Sequence, residues 1–401
     1  MSHDLHPETR IACAGVSTDT AHNSVSPPLH LSANYYWNDP CEKPQYDYAR
    51  SGNPTRAQLE EALASLEGAA KGVITASGMA AVDLVFNLVN PGDLVLAPHD
   101  CYGGTHRLLT ARAKRGHFDV AWVDQGDPVA LKGAFARGPK LVLIETPSNP
   151  LLRITDIRAV VALAAECGAV TVADNTFLSP ALQRPLELGC DIVVHSTTKF
   201  INGHSDMVGG AVLARDAKLG EELAWWANCT GVTGAPFDSF MTLRGLRTLF
   251  PRIERQQATA AEVVEALAKD PRIAKIFFPG LASHPGHEIA KTQQKGFGSM
   301  FSVEFSAGVD VLELLRGLKI FTIAESLGGF ESLVCVPAAM THASMTPEAR
   351  AIAGISDRLV RFSIGLEHSE DIARDLLQAL DHASAGGDKL AYFPKQATSC
   401  G

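Results

Sequence analysis

The sequence predicts an α/β protein with a mostly parallel sheet in a large domain and a smaller α+β domain after it. Two observations carry this prediction. From about residue 60 to residue 214, short apolar runs alternate with amphipathic helical patterns, which is typical of strands and helices that build a parallel sheet. Beyond about Arg252, one long helical stretch is followed by runs that alternate between apolar and polar residues, as half-buried strands do.

Composition narrows the class of protein. The 401 residues are 46% hydrophobic and 20% charged, which suits a globular chain of two or three domains. A net charge of −9 and scattered basic residues argue against partners such as nucleic acid or an anionic membrane. The eight cysteines form no CxxC pair, and the first ten residues contain no apolar segment. We therefore expect a cytoplasmic protein with reduced thiols and no membrane span.

The chain divides into three predicted parts. Residues 1–60 are rich in Pro, Asn, Tyr and Ser with little periodicity, and we expect an extended arm that reaches a neighbouring subunit. Residues 61–252 would form the large domain and residues 253–401 the small one. A helix is predicted over Arg56 to Leu66, behind a capping box of Thr55 and Gln58. The predicted strands lie at Asp93–Ala97, Val120–Val123, Leu141–Ile144, Val170–Ala173, Asp191–Val194, Gly210–Leu213, Met300–Phe305 and Leu359–Leu366.

One lysine stands just past the carboxyl end of a predicted strand. Lys199 follows the strand Asp191–Val194 in the segment His195-Ser-Thr-Thr-Lys199. Ligands bind at that edge of α/β sheets, and a desolvated lysine there can lose its proton and attack an aldehyde, with Ser196 and Thr198 as hydrogen-bond donors to a phosphate. A single lysine is more often a solvated surface residue, by roughly ten to one, so the prediction depends on neighbouring segments.

Two of these segments follow other strands. Asp174 ends the strand that precedes Lys199 by one strand-helix-strand repeat, so both side chains can share one edge of the sheet. A carboxylate there could keep a pyridine nitrogen protonated, although a helix-capping role is the plain alternative. Tyr102 lies on the Gly-rich turn Asp100–Gly104, where it could stack on a flat ring or merely occupy a surface turn.

Three further segments could bind anions. Gly78 and Met79 open a helix whose free N–H groups suit a phosphate, although the Ser-Gly-Met signal is weak by itself. Tyr48 and Arg50 in the arm could complete a phosphate site, or belong to an ordinary loop. Arg361 lies on one face of the strand Arg358–Glu367 and could bind a carboxylate.

Taken together, these segments resemble the Cys/Met-metabolism (transsulfuration) family of enzymes that use pyridoxal 5'-phosphate (PLP). The resemblance runs from about Val25 to Leu380. It is strengthened by matching stretches at Ala97–Gly104, Ala113–Gly116, Asp124–Asp127, Ala224–Asn228 and Gly231–Ser239. It implies the PLP-dependent transferase fold type I, which is aspartate-aminotransferase-like.

The resemblance also implies residue roles. Lys199 would carry the cofactor as a Schiff base and shuttle protons, and Tyr102 would stack on the ring and serve as a possible base. Asp174 would pair with the pyridinium nitrogen. The residues implied to hold the phosphate are Gly78, Met79, Ser196 and Thr198, with Tyr48 and Arg50 supplied to the neighbouring subunit's cofactor. The residues implied to bind substrate are Arg361, Asn149 and Ser326 at the carboxylate and Glu325 and Arg107 at the side-chain end.

The implied partners and activity follow from the same resemblance. The family forms homotetramers, dimers of dimers whose active sites are shared between two chains. The implied reaction is γ-replacement, in which L-cysteine displaces the acyl group of O-succinyl-L-homoserine to give L-cystathionine and succinate on the way to methionine. Alternatives are γ-elimination from cystathionine, sulfhydrylation of an O-acylhomoserine, and a noncatalytic PLP-binding protein. The sequence leaves the acyl group open.

Some residues depart from the family pattern or remain outside it. Phe200 stands where the family often has Tyr, and Gly104 stands where methionine γ-lyases have a reactive Cys, which weighs against that activity. His195 and His204 flank the lysine without partners at metal-ligand spacing. We interpret both histidines as structural and expect no metal site.

Overall fold

The fold is taken from a computed structural model, which describes residues 5–343 and 345–384. The first four residues of the predicted arm, and the end of the predicted small domain from residue 385, lie outside the described residues. Within the described part, no helix is long and apolar enough to cross a membrane.

A seven-stranded sheet forms the centre of the larger part. Its strands are β1 (Lys71–Thr75), β2 (Leu94–Pro98), β3 (Asp119–Val123), β4 (Leu141–Glu145), β5 (Val170–Asp174), β6 (Ile192–Ser196) and β7 (Gly210–Ala214). Their order across the sheet is β1-β7-β6-β5-β4-β2-β3. Only β7 runs in the direction opposite to the other six strands, so the prediction of a mostly parallel sheet is confirmed. The carboxyl ends of β4, β5 and β6 therefore meet at one edge.

A five-stranded sheet forms the smaller part. Its strands are β8 (Ile273–Phe277), β9 (Met300–Phe305), β10 (Thr322–Ile323), β11 (Leu333–Cys335) and β12 (Leu359–Ser363), in the order β10-β11-β12-β9-β8. All pairings except β10 with β11 are antiparallel, as expected for an α+β unit.

Helices cover both faces of the large sheet and pack on the small one. They are α1 (Pro7–Ala12), α2 (Pro54–Glu67), α3 (Gly78–Val85), α4 (Gly103–Lys114), α5 (Pro128–Phe135), α6 (Ile157–Cys167), α7 (Ser179–Leu182), α8 (Ala217–Thr230), α9 (Pro236–Leu246), α10 (Leu249–Leu267), α11 (His287–Gln293), α12 (Val311–Gly317), α13 (Pro347–Ala353) and α14 (Ser369–Ser384). A short 3₁₀ turn, Phe86–Leu88, follows α3.

The start of α2 differs from the sequence prediction. The helix is capped by Asn53, whose side-chain oxygen accepts hydrogen bonds from the N–H groups of Thr55 and Arg56. Pro54 fits the first helical position because its missing N–H needs no partner there. The Thr55 hydroxyl instead accepts a hydrogen bond from the N–H of His30. The predicted capping box is therefore wrong, and its threonine fastens the arm to the helix.

The buried side chains form three clusters, two on the large sheet and one on the small sheet. Two clusters cover the opposite faces of the large sheet, and the third fills the small part. In the third cluster, Phe362 of β12 stacks on Phe301 of β9 at 5.1 Å between ring centroids and meets Phe321 edge-on. This packing holds β12, which carries Arg361, against β9 within the small part.

The predicted domain boundaries remain proposals. Helix α2 extends across residue 60 and α10 across residue 252, so neither position coincides with the end of an element. The arm also contains a short helix, α1, that the sequence pattern did not indicate. It packs against α2, and Arg10 donates a hydrogen bond to the carbonyl oxygen of Ser65.

Candidate active site

A cavity of about 370 Å³ lies at the edge where β4, β5 and β6 end. Its walls come from both parts of the chain, because loops after β10 and the strand β12 close it from the small sheet. Of the sequence-predicted site residues, the cavity is lined by Gly78, Met79, Tyr102, Asn149, Asp174, Ser196, Thr198, Lys199, Glu325, Ser326 and Arg361. Residues far apart in sequence thus meet where α/β sheets bind ligands.

Lys199 projects into this cavity from the turn after β6. Its Nζ donates a hydrogen bond to the hydroxyl of Ser326 at 2.7 Å. Burial and the nearby positive charge of Arg361 lower the pKa of Lys199 to about 8, against the opposing effect of Glu325. A substantial fraction of the amine is therefore neutral near physiological pH, which is the form that attacks a carbonyl.

Arg361 is held rigidly beside that lysine. One guanidinium nitrogen donates to the side-chain oxygen of Asn149 at 2.9 Å, and another donates to the backbone oxygen of Ser326 at 2.8 Å. Ser326 has a φ of 87°, in the left-handed region that non-glycine residues rarely adopt. This backbone turns the Ser326 carbonyl toward Arg361 while its hydroxyl meets Lys199. The arginine fork is left in an orientation suited to a carboxylate.

Asp174 ends β5 and lies in a largely buried position. Burial raises the pKa of its carboxyl, while hydrogen bonds from Thr176 and the nearby His195 act in the opposite direction. The N–H of Thr176 donates to the carboxylate at 3.0 Å. The Thr176 hydroxyl accepts a hydrogen bond from the N–H of Ser196 at 2.9 Å, which ties β5 to β6 beside the cavity. A cation close to this carboxylate would stabilise its ionised form.

Two hydrogen bonds fix the loops around Tyr102, and sequence reasoning missed their acceptor. Glu145 ends β4, and its two carboxylate oxygens accept from the N–H groups of Tyr102 at 2.8 Å and Asn149 at 3.0 Å. Burial and the charge of Asp174 raise the pKa of Glu145. The signal was available, because Glu145 follows a predicted strand as Asp174 does. Tyr102 itself is 40% exposed at the mouth of the cavity.

The amino end of α3 forms another wall. Ser77 caps this helix by accepting from the N–H of Ala80, so the backbone of Gly78 and Met79 lies at the cavity. A Cβ at Gly78 would lie 2.6 Å from the Cβ of Ser196, so only glycine permits the close approach of the helix to β6. A helix N-terminus with a serine hydroxyl opposite it favours an anion.

Three predicted site residues do not line the cavity. Tyr48 is half exposed and Arg50 is exposed, and the Arg50 guanidinium lies 5.6 Å from the centroid of the Tyr48 ring. Arg107 lies on an exposed part of α4. Thr198, although it lines the cavity, exchanges hydrogen bonds with the backbone of Gly209.

The flanking histidines have local partners. His195 is buried, and its Nε2 lies 2.6 Å from a carboxylate oxygen of Glu67. Nδ1 of His204 lies 2.6 Å from the carbonyl oxygen of Asn202. Among residues 5–343 and 345–384, no group of three or more His, Cys, Asp or Glu side chains is arranged to hold a metal ion.

Comparison with known proteins gives consistent results. The model of the Cys/Met metabolism PLP-dependent enzyme family matches residues 8–381. Cystathionine gamma-synthase of Escherichia coli (strain K12) is 53% identical over 375 residues, which are 93% of this chain and 97% of that protein. A cystathionine gamma-lyase of Dictyostelium discoideum is 44% identical, over 93% of this chain and 97% of that protein. The crystal structure of cystathionine gamma synthase from Xanthomonas oryzae pv. oryzae in complex with cystathionine has a TM-score of 0.93 and 56% identity, over 95% of this chain and 99% of that one.

Proposed function

Because this chain belongs to the family of Cys/Met metabolism PLP-dependent enzymes, we propose that it is a PLP-dependent transferase that catalyses γ-replacement. In this reaction the thiol of L-cysteine displaces the acyl group of O-succinyl-L-homoserine, giving L-cystathionine and succinate. The observation that carries the proposal is the combination of a buried, low-pKa lysine and an arginine fork in one cavity. The first suits the cofactor and the second suits an amino-acid substrate.

The residues around the cavity fit PLP chemically. The cofactor has an aldehyde, a pyridine nitrogen and a phosphate, and it supplies an electron sink that stabilises negative charge on substrate carbons. Lys199 offers an amine that is partly neutral near physiological pH, and the neutral form can attack the aldehyde. The raised pKa of Asp174 indicates a carboxylate that a protonated ring nitrogen would stabilise. The α3 N-terminus at Gly78 and Met79, with Ser196 and Thr198, would hold the phosphate.

Lys199 is proposed to move protons during the reaction. Its Nζ hydrogen-bonds to Ser326, so the amine has a defined direction when it is neutral. A pKa of about 8 allows the same nitrogen to accept a proton from a substrate carbon and later to return it. Tyr102, at the mouth of the cavity, is the second candidate for proton transfer and for stacking on the cofactor ring.

Arg361 is proposed to bind the substrate α-carboxylate. Its fork is already fixed by Asn149 and by the Ser326 carbonyl, so binding would cost little side-chain entropy. Glu325 lies on the same wall and is proposed to shape the end of the pocket that takes the substrate side chain, with Arg107 as a further proposed contributor. Arg361 is buried, which strengthens its contact with a carboxylate, whereas Glu325 and Arg107 are exposed.

The relatives favour replacement over elimination. The synthases from Escherichia coli and Xanthomonas oryzae are 53% and 56% identical to this chain, whereas the Dictyostelium discoideum lyase is 44% identical. A second Xanthomonas oryzae synthase structure is a complex with aminoacrylate and cysteine. γ-Elimination from cystathionine remains the second candidate because the lyase aligns over the same share of the chain.

The deciding experiment supplies the PLP-loaded protein with O-succinyl-L-homoserine, with and without L-cysteine, and identifies the products by mass. Cystathionine and succinate are expected, and they should be absent with a Lys199→Ala variant. A parallel sample receives cystathionine alone. Rapid release of cysteine and 2-oxobutanoate there, beside an unconsumed succinyl ester, would make the protein a γ-lyase. Replacing L-cysteine with sulfide tests sulfhydrylation, and replacing succinyl with acetyl tests the acyl group.

We propose further that the protein is a homotetramer, a dimer of dimers, in the cytoplasm. Tyr48 and Arg50 are exposed on the described chain, which agrees with a role at the phosphate of a neighbouring subunit's cofactor. All seven described cysteines are free, which agrees with a reducing compartment.

A further inference from the structure

Helix α10 spans the two parts of the molecule. Its Leu249 and Ile253 belong to a core cluster of the large sheet, whereas Val263 and Leu267 belong to the cluster of the small part. Two polar residues of this helix, Arg252 and Gln256, are buried although neither lines the cavity. Since they are four positions apart, they project from the same face of the helix.

Arg252 holds the chain that follows Lys199. Its guanidinium donates to the carbonyl oxygen of Phe200 at 2.8 Å, to that of Ile201 at 3.3 Å and to that of Gly245 at 2.9 Å, and its Nε donates to the Thr248 hydroxyl at 3.2 Å. All four acceptors are neutral. Burial lowers the pKa of Arg252 to about 10, so it remains a cation at neutral pH.

The surrounding backbone is shaped around this guanidinium. Gly203 has a φ of +69°, and a Cβ there would lie 1.9 Å from an Arg252 nitrogen. The end of α9 is equally close to this turn, because a Cβ at Gly245 would lie 2.1 Å from the carbonyl oxygen of Asn202. The turn from Lys199 to Gly203 therefore packs tightly against Arg252. Burying a cation against neutral partners costs stability. Stabilisation of the fold alone therefore does not explain why an arginine stands at this position.

Gln256 holds the opposite wall of the site. Its amide nitrogen donates to the carbonyl oxygens of Gly329 at 2.7 Å and Ile364 at 3.2 Å. Gly329 lies three residues after Ser326, and Ile364 lies three residues after Arg361. One amide group thus links the two segments that carry the proposed substrate-binding residues.

The two walls touch each other directly. A Cβ at Gly328 would lie 2.8 Å from the backbone nitrogen of Phe200, and Lys199 hydrogen-bonds to Ser326. We propose that Arg252 and Gln256 are positioning residues that fasten both walls to one rigid helix, so that the amine of Lys199 and the fork of Arg361 keep a fixed separation. The proposal rests on the proposed function only in naming what the two walls bind.

The test compares Arg252→Lys, which keeps the charge but loses the fork, with Gln256→Leu, which keeps the bulk but loses the donor. In the apoprotein, amide hydrogen exchange at residues 200–203 should be about tenfold faster in the first variant, and exchange at residues 327–331 about tenfold faster in the second. In the PLP-loaded enzyme, Arg252→Lys should lower kcat about tenfold with little change in KM. Gln256→Leu should instead raise KM for the homoserine ester about tenfold.

Arg255→Lys is the matched control, because Arg255 is exposed on the same helix and should leave all these quantities unchanged. A lower thermal midpoint in either variant, with exchange, kcat and KM as in the parent protein, would make the two residues merely structural and overturn the proposal. If Arg252→Lys does not fold, Gln256→Leu still tests the proposal for the wall that carries Ser326 and Arg361. Failure of the proposed function would appear separately, as no cystathionine from the parent protein.

Discussion

At the scale of single residues, several polar groups that line the cavity each have a neighbour that sets their charge or their direction. Lys199 is the clearest case. Burial is the largest cause of its lowered pKa, and Arg361 adds to it through its positive charge. The same arginine is thereby proposed to serve twice, as the carboxylate fork and as a cation that helps to lower the pKa of the amine.

This double role predicts a pH dependence. Only the neutral amine reacts with an acylating reagent, so labelling of Lys199 in the apoprotein should fall as pH decreases through about 8. Arg361→Met removes a positive charge, which should raise the pKa, so labelling at neutral pH should be slower. The pKa should remain below that of an exposed lysine, because burial persists. Mass spectrometry of the labelled peptide measures the rate.

The control for that prediction is Arg358→Met, since Arg358 lies just before β12 and is largely exposed. It should leave the labelling curve of Lys199 unchanged. Coincident curves for the Arg361→Met variant and the parent protein would mean that the arginine has no influence on the lysine.

Glu145 gives a second prediction at this scale. Both of its carboxylate oxygens accept backbone hydrogen bonds, one from Tyr102 and one from Asn149. Glu145→Gln replaces one acceptor with a donor, so one of these N–H groups loses its partner, at about 1–3 kcal/mol. We expect kcat/KM to fall about tenfold or more, in steady-state assays, with unchanged PLP content. Glu166→Gln, at an exposed position of α6, is the control, and equal loss in both variants would contradict the assignment.

At the scale of elements, the site is built from strand ends and helix starts, whose positions local sequence determines to different degrees. The strands β2 to β6 were predictable because their apolar runs are continuous and their flanks are polar. Strand β1 was missed, since Lys71–Thr75 contains a glycine and adjoins the small-residue segment that opens α3. Strand β10 has only two residues, too few for any period to emerge.

Sequence reasoning proposed residues that line the cavity where a motif stands at a strand end, and it overlooked residues whose contacts are long-range. Asp174 and Lys199 were accessible to such reasoning, and the same rule applied to Glu145 would have found it. Arg252 was not, because its role depends on the carbonyl oxygens of Phe200 and Ile201, about fifty positions away. A sequence pattern shows which side chain is available, but not which backbone oxygen it meets.

The cap of α2 gives the prediction at this scale. Asn53 accepts from two N–H groups of the first turn and also donates to the carbonyl oxygen of His30. Asn53→Ala should destabilise the protein by about 1–2 kcal/mol, seen as a lower midpoint in thermal unfolding. Gln58→Ala, which would break the capping box expected from sequence, should change the midpoint much less. The reverse ranking would restore the capping box and remove the cap assigned to Asn53.

At the scale of the whole molecule, the site is closed by both sheets of one chain and is proposed to be completed by a second chain. The cavity is lined by residues from β4, β5, β6 and β12, but Tyr48 and Arg50 do not line it. Both residues are exposed, and the Arg50 guanidinium lies 5.6 Å from the centroid of the Tyr48 ring. The proposed subunit sharing would bring this pair to the cavity of a neighbouring chain.

Subunit sharing predicts that two inactive variants restore each other. A chain with Lys199→Ala keeps an intact arm, and a chain with Tyr48→Ala and Arg50→Ala keeps an intact cavity. In a mixed dimer, one of the two sites then combines Lys199 of the chain with the substituted arm and the unsubstituted arm of the chain with Lys199→Ala. Random mixing makes about half of the dimers mixed, so about a quarter of the parental activity should return when the two chains are co-expressed with different tags. The control mixes Lys199→Ala with Asp174→Asn, whose side chains line the cavity of one chain, and no activity should return. Equal recovery in both mixtures, or none in either, would place the arm of each chain outside its neighbour's site.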